Sequence, residues 1–413
     1  MIFYRDCLCF LVALGALSVN ASGFGLYEAS SKTYALGGTA VGKAVDGSAN
    51  FFNPATITDF TNSVLTAGVM TEHPRARMKV QGNASETMNP GCFCLPAFHF
   101  VQPLPKDFAI GLGIMPEYGL GSAYGSHWSL ANNSTETTVM SLTINPNLAY
   151  KITDSWSIGA GLRFLYFDFE QYSRPVVGIN PLNGYQYRFK NHLKGDNEMK
   201  DFGWQVGTKY DIADNFSIGI VYKSETEVNV NGKTTNHAYD DALRSTASAA
   251  SGSAKTELDL PQSITAGFNW DITPTIHLGT SVAWTQWTSV DTLDFNLNGT
   301  HKPIKLNWKD TWRAGIGPAW DFADDWTAMT SYVYETDCSS DQDSTMLPAA
   351  DRHMLAWGLA WSPLPQFEIA AVYGIILMKG RSTQATGPNG SLWEYTAHRG
   401  LSHATGVTLT YRF

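Results

Sequence analysis

The feature that most restricts the fold of this chain is a regular alternation of apolar residues with small or polar ones. From Trp156 to Tyr166 every second residue is apolar, and positions 157, 159, 161 and 163 hold Ser, Gly, Gly and Arg. A repeat of two residues predicts a β-strand, because successive side chains point to opposite faces. Aromatic residues stand at both ends of the apolar face, as on strands that face lipid between two interfacial girdles.

The same alternation returns along the chain, interrupted by connections of two kinds. It covers residues 204–212, 216–223, 276–285, 308–320 and 407–413. Six short turns lie near positions 106, 154, 214, 273, 324 and 364. Seven long loops rich in Gly, Ser, Thr and Asn lie near 75–92, 118–136, 173–198, 231–253, 293–303, 338–350 and 380–399. These thirteen connections predict an all-β protein, a 14-stranded antiparallel transmembrane β-barrel.

Composition excludes other classes of protein. Of the 413 residues 16% are charged and 13% are aromatic, which is the opposite of a disordered chain. The net charge of −9, without a basic stripe, argues against a nucleic-acid partner. A soluble β-sandwich or propeller would carry many Lys and Glu residues on its polar face, whereas this polar face is mostly Gly, Ser and Thr. The composition therefore favours the membrane barrel.

Residues 1–21 have the pattern of a secretory signal peptide. Arg5 precedes an apolar stretch, and small residues predict cleavage after Ala21. The stretch is shorter than the ~20 apolar residues that a membrane anchor needs. An exported chain that forms a barrel is expected in the outer membrane of a Gram-negative bacterium.

Three cysteines, Cys92, Cys94 and Cys338, follow the signal peptide, and their spacing is not that of a metal site. A local disulfide and free thiols are both open. We assign these residues no function, and we predict no metal and no cofactor.

Residues 22–60 do not alternate. They are small, apolar and rich in Gly, with short helices predicted around 29–36 and 39–45. We predict that they form a small N-terminal, partly helical hatch that plugs a barrel formed by residues 61–413. An open general porin needs no plug, whereas a barrel for apolar solutes does, since a wet lumen would neither bind them nor keep the envelope tight.

The hatch region resembles that of the FadL/TodX family of outer-membrane transporters of hydrophobic compounds. The matching elements are Ser22-Gly23-Phe24, Leu26, Glu28, the small residues 37–44 and Asn53-Pro54-Ala55. The phrases at 308–313, 324–327 and 351–352 are also similar to phrases of that family. The end of the chain, Tyr411-Arg412-Phe413, resembles the signal that outer-membrane assembly machinery recognises.

The resemblance implies passive uptake of long-chain fatty acids or other apolar molecules. Substrate would lodge in a groove among the outer loops and then move to a pocket lined by the N-terminus. It would leave sideways through an opening beside a kinked third strand. The expected partners are a hydrophobic small molecule, outer-membrane lipid and lipopolysaccharide, and the assembly machinery through Phe413. We expect a monomer and no nucleic acid.

Several residues of the hatch are candidates for contact with substrate. Phe24 and Leu26 would line the inner pocket, and Phe51 and Phe52 are further candidates. The alternative is that these side chains only pack the plug against the wall. Asn53, Pro54 and Ala55 would form the corner between hatch and barrel, either as a gate or as a structural turn.

Two features after the hatch are candidates for the route of the substrate. Gly111 and Gly113 would weaken the third strand and allow a kink, or they would simply make room for the hatch. Tyr124, Trp128 and Leu130 are expected to be exposed in a polar loop, which predicts a capture surface unless the loop packs on itself.

A fatty-acid carboxylate would need a cation inside an apolar pocket. The alternation places Lys309 and Arg313 on the inner face of one strand, with Lys309 the better candidate. Family pockets also use a basic residue in strand five, where this chain reads Tyr-Phe-Asp-Phe at 166–169. This departure leaves uptake of uncharged aromatic or aliphatic hydrocarbons as an alternative.

Three rival functions remain. An enzyme is disfavoured, because the chain has no G-x-S-x-G motif and its His residues are scattered. A general diffusion porin would be an open channel. A surface receptor or adhesin would use the long loops, but Asp337, Asp341 and Asp343 lack the spacing of an EF-hand calcium site.

Overall fold

The computed structural model describes residues 23–125, 128–179, 186–240, 245–339, 345, 347, 349–387 and 391–413. The predicted signal peptide, residues 1–21, lies outside the described residues, so its cleavage site stays a prediction. Within the described part of the chain, no helix has the length and the apolar character that crossing a membrane would require.

Short helices precede a long series of strands. The helical elements are α1 (Ser31–Ala35), α2 (Ala49–Phe52) and the 3₁₀ helices η1 (Pro54–Asp59) and η2 (Trp287–Ser289). The strands are β1 (Val64–Val80), β2 (Ser85–Met88), β3 (Phe93–Pro103), β4 (Phe108–Met115), β5 (Gly119–Ala123), β6 (Glu136–Thr153), β7 (Trp156–Ser173), β8 (Val176–Ile179), β9 (Gln186–Asp196), β10 (Asp201–Ala213), β11 (Phe216–Lys223), β12 (Thr226–Asp240), β13 (Ser245–Leu260), β14 (Ser263–Thr273), β15 (Ile276–Thr285), β16 (Thr292–Leu297), β17 (Thr300–Lys305), β18 (Thr311–Ala323), β19 (Trp326–Glu335), β20 (Arg352–Leu364), β21 (Phe367–Met378), β22 (Arg381–Thr386), β23 (Leu392–Ala397) and β24 (Gly400–Arg412).

Antiparallel pairing closes the wall. Over the described residues the circuit runs β1-β3-β4-β6-β7-β10-β11-β14-β15-β18-β19-β20-β21-β24 and returns to β1. The predicted 14-stranded antiparallel barrel is confirmed. The remaining strands extend the wall at the end of the long loops, which we call the loop end. The opposite end, with the short turns, is the turn end.

The two faces of the wall follow the alternation. On β7 the side chains of Trp156, Ile158 and Leu162 are exposed on the outside, whereas Ser157 and Arg163 are buried inside. Outward apolar side chains alternate with small inward ones because the outer face meets lipid and the inner face meets the rest of the chain.

The alternation is wrong for the residues just before β18. Trp312, Ile316 and Trp320 face outward as predicted, but Trp308 is buried and Lys309 is exposed. The strand begins only at Thr311, and Asn307 has a positive φ of 49°. The backbone therefore turns before the strand begins, and the strand's period does not extend to positions 308 and 309.

The N-terminal segment (residues 23–60) packs against the inner face of the wall. Nine inward glycines of the described strands approach it so closely that a Cβ would lie under 3.0 Å from its atoms. They are Gly111, Gly119, Gly159, Gly207, Gly219, Gly279, Gly317, Gly358 and Gly374. The inner glycines therefore shape the wall to fit this segment.

The helices of the N-terminal segment were predicted only in part. The helix predicted around 29–36 is confirmed as α1, but residues 39–45 form turns and bends. Wall and segment side chains bond the backbone there: Asn269 Oδ1 accepts from the Gly42 N–H at 2.9 Å, and Asn53 Nδ2 donates to the Val41 carbonyl at 2.7 Å. These bonds satisfy backbone groups that a helix would otherwise have paired.

Candidate functional site

Asn53 joins the N-terminal segment to the wall. Its Nδ2 donates to the carbonyls of Val41 at 2.7 Å and Thr208 at 3.0 Å, and its Oδ1 accepts from the Ala55 N–H at 3.0 Å. Pro54 follows in the first turn of η1 and lies against Gly159 of β7. Asn53, Pro54 and Ala55 therefore form a buried turn fixed to the wall. Their role as a gate stays a prediction.

Ion pairs fix the same segment at other points. Lys32 Nζ lies 2.8 Å from Glu368 Oε2 of β21, and Lys209 of β10 pairs with Asp59 of η1. Burial raises the pKa of the Asp59 carboxyl, and the charge of Lys209 opposes this shift. The segment is therefore held at both of its helical ends.

Replacing Asn53 by Ala should loosen this attachment. Asn53→Ala removes the side-chain donor to the buried Val41 carbonyl and a second donor contact with the Thr208 carbonyl of β10, at about 1–3 kcal/mol for an unsatisfied buried group. We expect faster hydrogen–deuterium exchange in residues 41–59 of the purified protein, with the barrel strands unchanged. The control is Asn62→Ala, because the Asn62 side chain is exposed and bonds the Phe413 carbonyl at 2.8 Å. Equal exchange in the two variants would contradict this account.

Aromatic rings surround Phe24. Its ring centroid lies 4.9 Å from that of Trp287, 5.9 Å from Tyr118, 6.0 Å from Trp308 and 6.4 Å from Phe167. Only 2% of the Phe24 side chain is exposed. We call these four rings the aromatic cage. Phe24 therefore occupies an apolar pocket that could also accept a hydrophobic ligand.

The residues around Phe24 pair with the barrel wall. Gly25 forms an isolated antiparallel bridge with Tyr118. The Leu26 N–H donates to the Glu117 carbonyl at 2.8 Å, and the Gly119 N–H donates to the Phe24 carbonyl at 2.8 Å. Residues 24–26 therefore act as a short added strand on residues 117–119.

Residues 116–118 interrupt the third strand of the barrel. β4 ends at Met115 and β5 begins at Gly119, and pairing of β3 with β4 stops at Phe98. In the described part of the chain no pairing joins residues 93–97 of β3 to β5. The Phe93 ring packs on Gly121, where a Cβ would lie 1.9 Å from Phe93 Cζ. The wall is therefore not continuously hydrogen-bonded beside the aromatic cage.

The two glycines predicted to kink this strand lie below the interruption. A Cβ at Gly111 would lie 1.8 Å from Asn50 Oδ1, and one at Gly113 would lie 3.1 Å from His99 Nδ1. Both positions pair regularly with β3 and β6. Gly111 thus makes room for the N-terminal segment. The interruption itself is explained by Pro116, which has no N–H to donate to the sheet.

A buried charge cluster lies beside the interruption. Arg163 Nη2 is 3.0 Å from Glu117 Oε1, and Lys223 Nζ is 3.3 Å from the same oxygen. Lys223 Nζ also lies 3.2 Å from the centroid of the Phe51 ring. Two cations thus share one carboxylate, which leaves positive charge in an apolar surrounding.

A cavity of about 60 Å³ connects the predicted pocket residues. Its lining includes Leu26, Phe51, Phe52, Lys223, Arg313 and Trp287. Arg313 Nη2 donates to the Gly37 carbonyl at 3.0 Å, and its guanidinium lies 4.1 Å from the Tyr27 ring centroid. Arg313 therefore faces the inside as predicted.

The structure brings together five of the predicted pocket residues: Phe24, Leu26, Phe51, Phe52 and Arg313. Lys309 is not among them, because it is exposed before β18 begins, and its N–H donates to the Cys338 carbonyl at 2.6 Å. Whether any of these residues binds substrate stays a prediction.

The expected exposure of the loop residues is wrong. Tyr124, Trp128 and Leu130 are 8%, 2% and 0% exposed, and Tyr124 stacks on Trp128 with ring centroids 4.7 Å apart. They belong to a buried apolar cluster with Met78 and Tyr395. The loop packs under the strand extensions of the loop end, which local sequence does not reveal.

A larger cavity lies among the loops instead. It measures about 580 Å³, and its apolar lining includes Leu193, Phe295, Leu297, Ile304 and Leu392. The polar side chains of Asn132, Gln171 and Gln384 also line it. This volume is within the range of ligand pockets, roughly 300–1,000 Å³.

Sequence reasoning missed Trp287, Tyr118, Glu117, Arg163 and Lys223. The alternation places Arg163 and Lys223 on the face of small and polar residues, which points into the barrel. A charged residue on that face is the sequence signal by which both could have been predicted. Cys92 and Cys94 are exposed, and Cys338 is buried. Asp341 lies outside the described residues, and the described residues contain no cluster suited to a metal ion.

Comparison with known proteins agrees with this geometry. A model of the family described as outer membrane protein transport protein (OMPP1/FadL/TodX) matches residues 12–413. The long-chain fatty acid transport protein of Shigella flexneri is 24% identical, covering 87% of this chain and 89% of the relative. The 47 kDa outer membrane protein of Pasteurella multocida is 24% identical, covering 92% of each.

Solved structures share the fold. A FadL homologue of Pseudomonas aeruginosa has a TM-score of 0.85 at 18% identity, covering 95% of this chain and all 100% of that one. The toluene transporter TodX of Pseudomonas putida has a TM-score of 0.76 at 17% identity, covering 96% and 99%. The chain therefore belongs to the OMPP1/FadL/TodX family of transport proteins in the outer membrane of Gram-negative bacteria.

Proposed function

We propose that this outer-membrane transporter of hydrophobic compounds carries long-chain fatty acids, passively and as a single chain. The observation that carries the proposal is the contact between the aromatic cage and a cavity with two cations, Lys223 and Arg313. The cage would hold the apolar chain, and the cations would hold the carboxylate. A relative named for fatty-acid transport supports the same substrate class.

Capture is assigned to the cavity among the loops. Its volume of about 580 Å³ and its apolar lining suit a flexible hydrocarbon chain. The polar part of its lining lets the cavity stay open to water while its floor offers apolar contacts. Tyr124, Trp128 and Leu130 would support the cavity floor from within the loop rather than bind substrate at the surface.

Binding in the inner pocket requires Phe24 to move. The cavity beside it holds only about 60 Å³, far below the ~300 Å³ of a typical ligand site. Ligand would replace the Phe24 ring among the four rings of the cage. Because residues 24–26 are hydrogen-bonded to residues 117–119, this displacement would also release the interrupted third strand.

Exit is assigned to the side of the barrel. The N-terminal segment would act as a hatch that blocks the axis, because nine inward glycines fit it closely. The interruption between β3 and β5 lies next to the pocket, and the Phe93 ring on Gly121 fills it. An apolar solute would pass there into the lipid without crossing water.

Uncharged hydrocarbons are the second candidate. Each pocket cation already has a partner, since Lys223 pairs with Glu117 and Arg313 bonds the Gly37 carbonyl. Solved structures with the same fold include a protein named as a monoaromatic hydrocarbon channel. An uncharged ligand would need only the aromatic cage.

Uptake by cells tests the proposal. We expect labelled oleate to enter a strain lacking this chain only at the rate of leakage through the membrane, and to enter at the parental rate when the chain is restored. A second experiment separates this transporter from a general porin. In planar bilayers the parent protein should carry almost no ionic current, whereas a variant lacking residues 23–55 should carry a steady current. Equal oleate uptake with and without the chain would refute the proposal.

A further inference from the structure

The outer face of β1 carries three successive cations at the loop end. Arg75, Arg77 and Lys79 are exposed, and the residues between and after them, Ala76, Met78 and Val80, are buried on the inner side. We call Arg75, Arg77 and Lys79 the basic row. Within the described residues, no ion pair involves any of them.

The basic row begins where the apolar belt of the barrel ends. Leu65 of β1 pairs with Tyr411, whose exposed ring marks the turn end, and Arg75 lies ten residues further along. A strand rises about 3.3 Å per residue, so at a tilt of about 40° these residues climb about 25 Å. This is the height of the apolar belt of such barrels, about 25 Å. Arg77 and Lys79 therefore lie at the level of lipid headgroups.

Neighbouring strands add donors at the same height. His403 of β24 pairs with His73 of β1, and its Nδ1 is 2.8 Å from the Tyr373 hydroxyl on the outer face. The exposed Arg399 follows His398, whose N–H donates to the Arg77 carbonyl at 2.9 Å. The exposed Glu394 lies beyond Lys79, since the partner of Lys79 on β23 is Thr396.

Strand β7, four positions from β1 around the wall, carries acidic residues at this height, one of which, Glu170, pairs with Lys194 Nζ at 3.4 Å. On β7, Trp156 marks the turn end, and twelve and fourteen residues further the outward face carries Asp168 and Glu170. The corresponding positions on β1, twelve and fourteen residues beyond Leu65, are Arg77 and Lys79. The basic row is therefore not repeated on β7.

We propose that the basic row binds the phosphate groups of the glycolipid that forms the outer leaflet, the lipid A part of lipopolysaccharide. Phosphates at the top of the apolar belt would meet Arg75, Arg77 and Lys79 within the reach of their long side chains. Arg is suited to phosphate because its planar donors bind two oxygens at once. The inference is independent of the substrate that the transporter carries.

Binding of purified lipid A tests the proposal. The purified full-length protein in detergent is titrated with bisphosphorylated lipid A and followed by native mass spectrometry. Replacing the basic row in the Arg75→Gln/Arg77→Gln/Lys79→Gln variant should weaken binding by at least about tenfold. The control, Lys200→Gln/Lys233→Gln/Lys255→Gln, removes the same charge from exposed residues elsewhere and should bind as the parent does.

Two further experiments test whether the positive charge of the basic row causes the binding and whether the binding is specific for lipid A. The Arg75→Lys/Arg77→Lys variant keeps the charge and should keep most of the binding of lipid A. Lipid A without its phosphates should bind the parent protein weakly. Its affinity should be similar to that of bisphosphorylated lipid A for the triple Gln variant. Heat-dependent migration on gels verifies that each variant is a folded barrel. The proposal is overturned if the triple Gln variant binds like the parent, or if phosphatidylglycerol binds the parent as tightly as lipid A does.

Discussion

Oxidising a Gly25→Cys/Tyr118→Cys double variant should reduce oleate uptake by about a hundredfold, because the binding-competent state becomes almost unpopulated. A disulfide between these positions would hold residues 24–26 on residues 117–119. Phe24 would then stay in the aromatic cage, and the interrupted third strand would stay attached to the N-terminal segment. Uptake of labelled oleate by cells before and after oxidation measures the effect.

The backbone at these two positions suits a disulfide. The bonds from Leu26 to Glu117 and from Gly119 to Phe24 flank the Gly25–Tyr118 pair, so the two residues face each other without bonding directly. Such pairs have Cα atoms about 4.5 Å apart, within the range of about 4.4–6.8 Å that disulfides use. A Cβ at Gly25 would have Trp287 Cζ2 at 3.7 Å, which is an ordinary contact.

Reduction provides the control for the lock. A reductant should restore uptake to that of the Tyr118→Cys single variant, which lacks one ring of the cage but has no crosslink. The background should carry Cys338→Ala, because Cys338 Sγ lies 3.1 Å from the Gly23 nitrogen and would compete for the new thiols. Equal uptake by the oxidised and the reduced double variant would show that residues 24–26 need not move.

Most of the barrel could be predicted from local sequence, because each strand meets lipid on one side. The period of two therefore survives wherever the chain crosses the membrane, as on β7 and β24. Outside the strands the period of two no longer predicts which way a side chain faces. Lys309 was misplaced because Asn307 turns the backbone before β18, and residues 39–45 are not helical because Asn269 and Asn53 bond their backbone.

The residues of the site were predictable where the resemblance of the N-terminal segment or the strand period reached them, as for Arg313. Phe24, Leu26 and Phe51 were found from the resemblance of the N-terminal segment to one family. Trp287 reaches Phe24 from η2, and Glu117 meets Lys223 across the three intervening strands β6, β7 and β10, so both contacts depend on the closed barrel. Burial of Trp128 depends on the strands of the loop end. No local pattern encodes such distant pairs.

Replacing Lys223 by Met should separate the two candidate substrates. Lys223→Met keeps an apolar side chain over Phe51 and leaves Glu117 paired with Arg163 at 3.0 Å. A hydrogen bond to a charged group contributes about 1.5–3 kcal/mol, so losing one to the carboxylate should lower oleate affinity by about 10- to 100-fold. Toluene, which carries no charge, should enter at the parental rate. Competition uptake assays with the two labelled solutes measure both effects in the same cells.

The control variant removes a lysine outside the pocket. Lys43→Met breaks a pair with Asp271 that is half exposed and 2.5 Å long, and it should leave both uptakes unchanged. A loss of both oleate and toluene uptake in Lys223→Met would mean that Lys223 supports the fold of the pocket rather than the carboxylate. Unchanged uptake of both would favour uncharged hydrocarbons, because the aromatic cage alone would then explain binding. Only a selective loss of oleate uptake places a carboxylate beside Lys223.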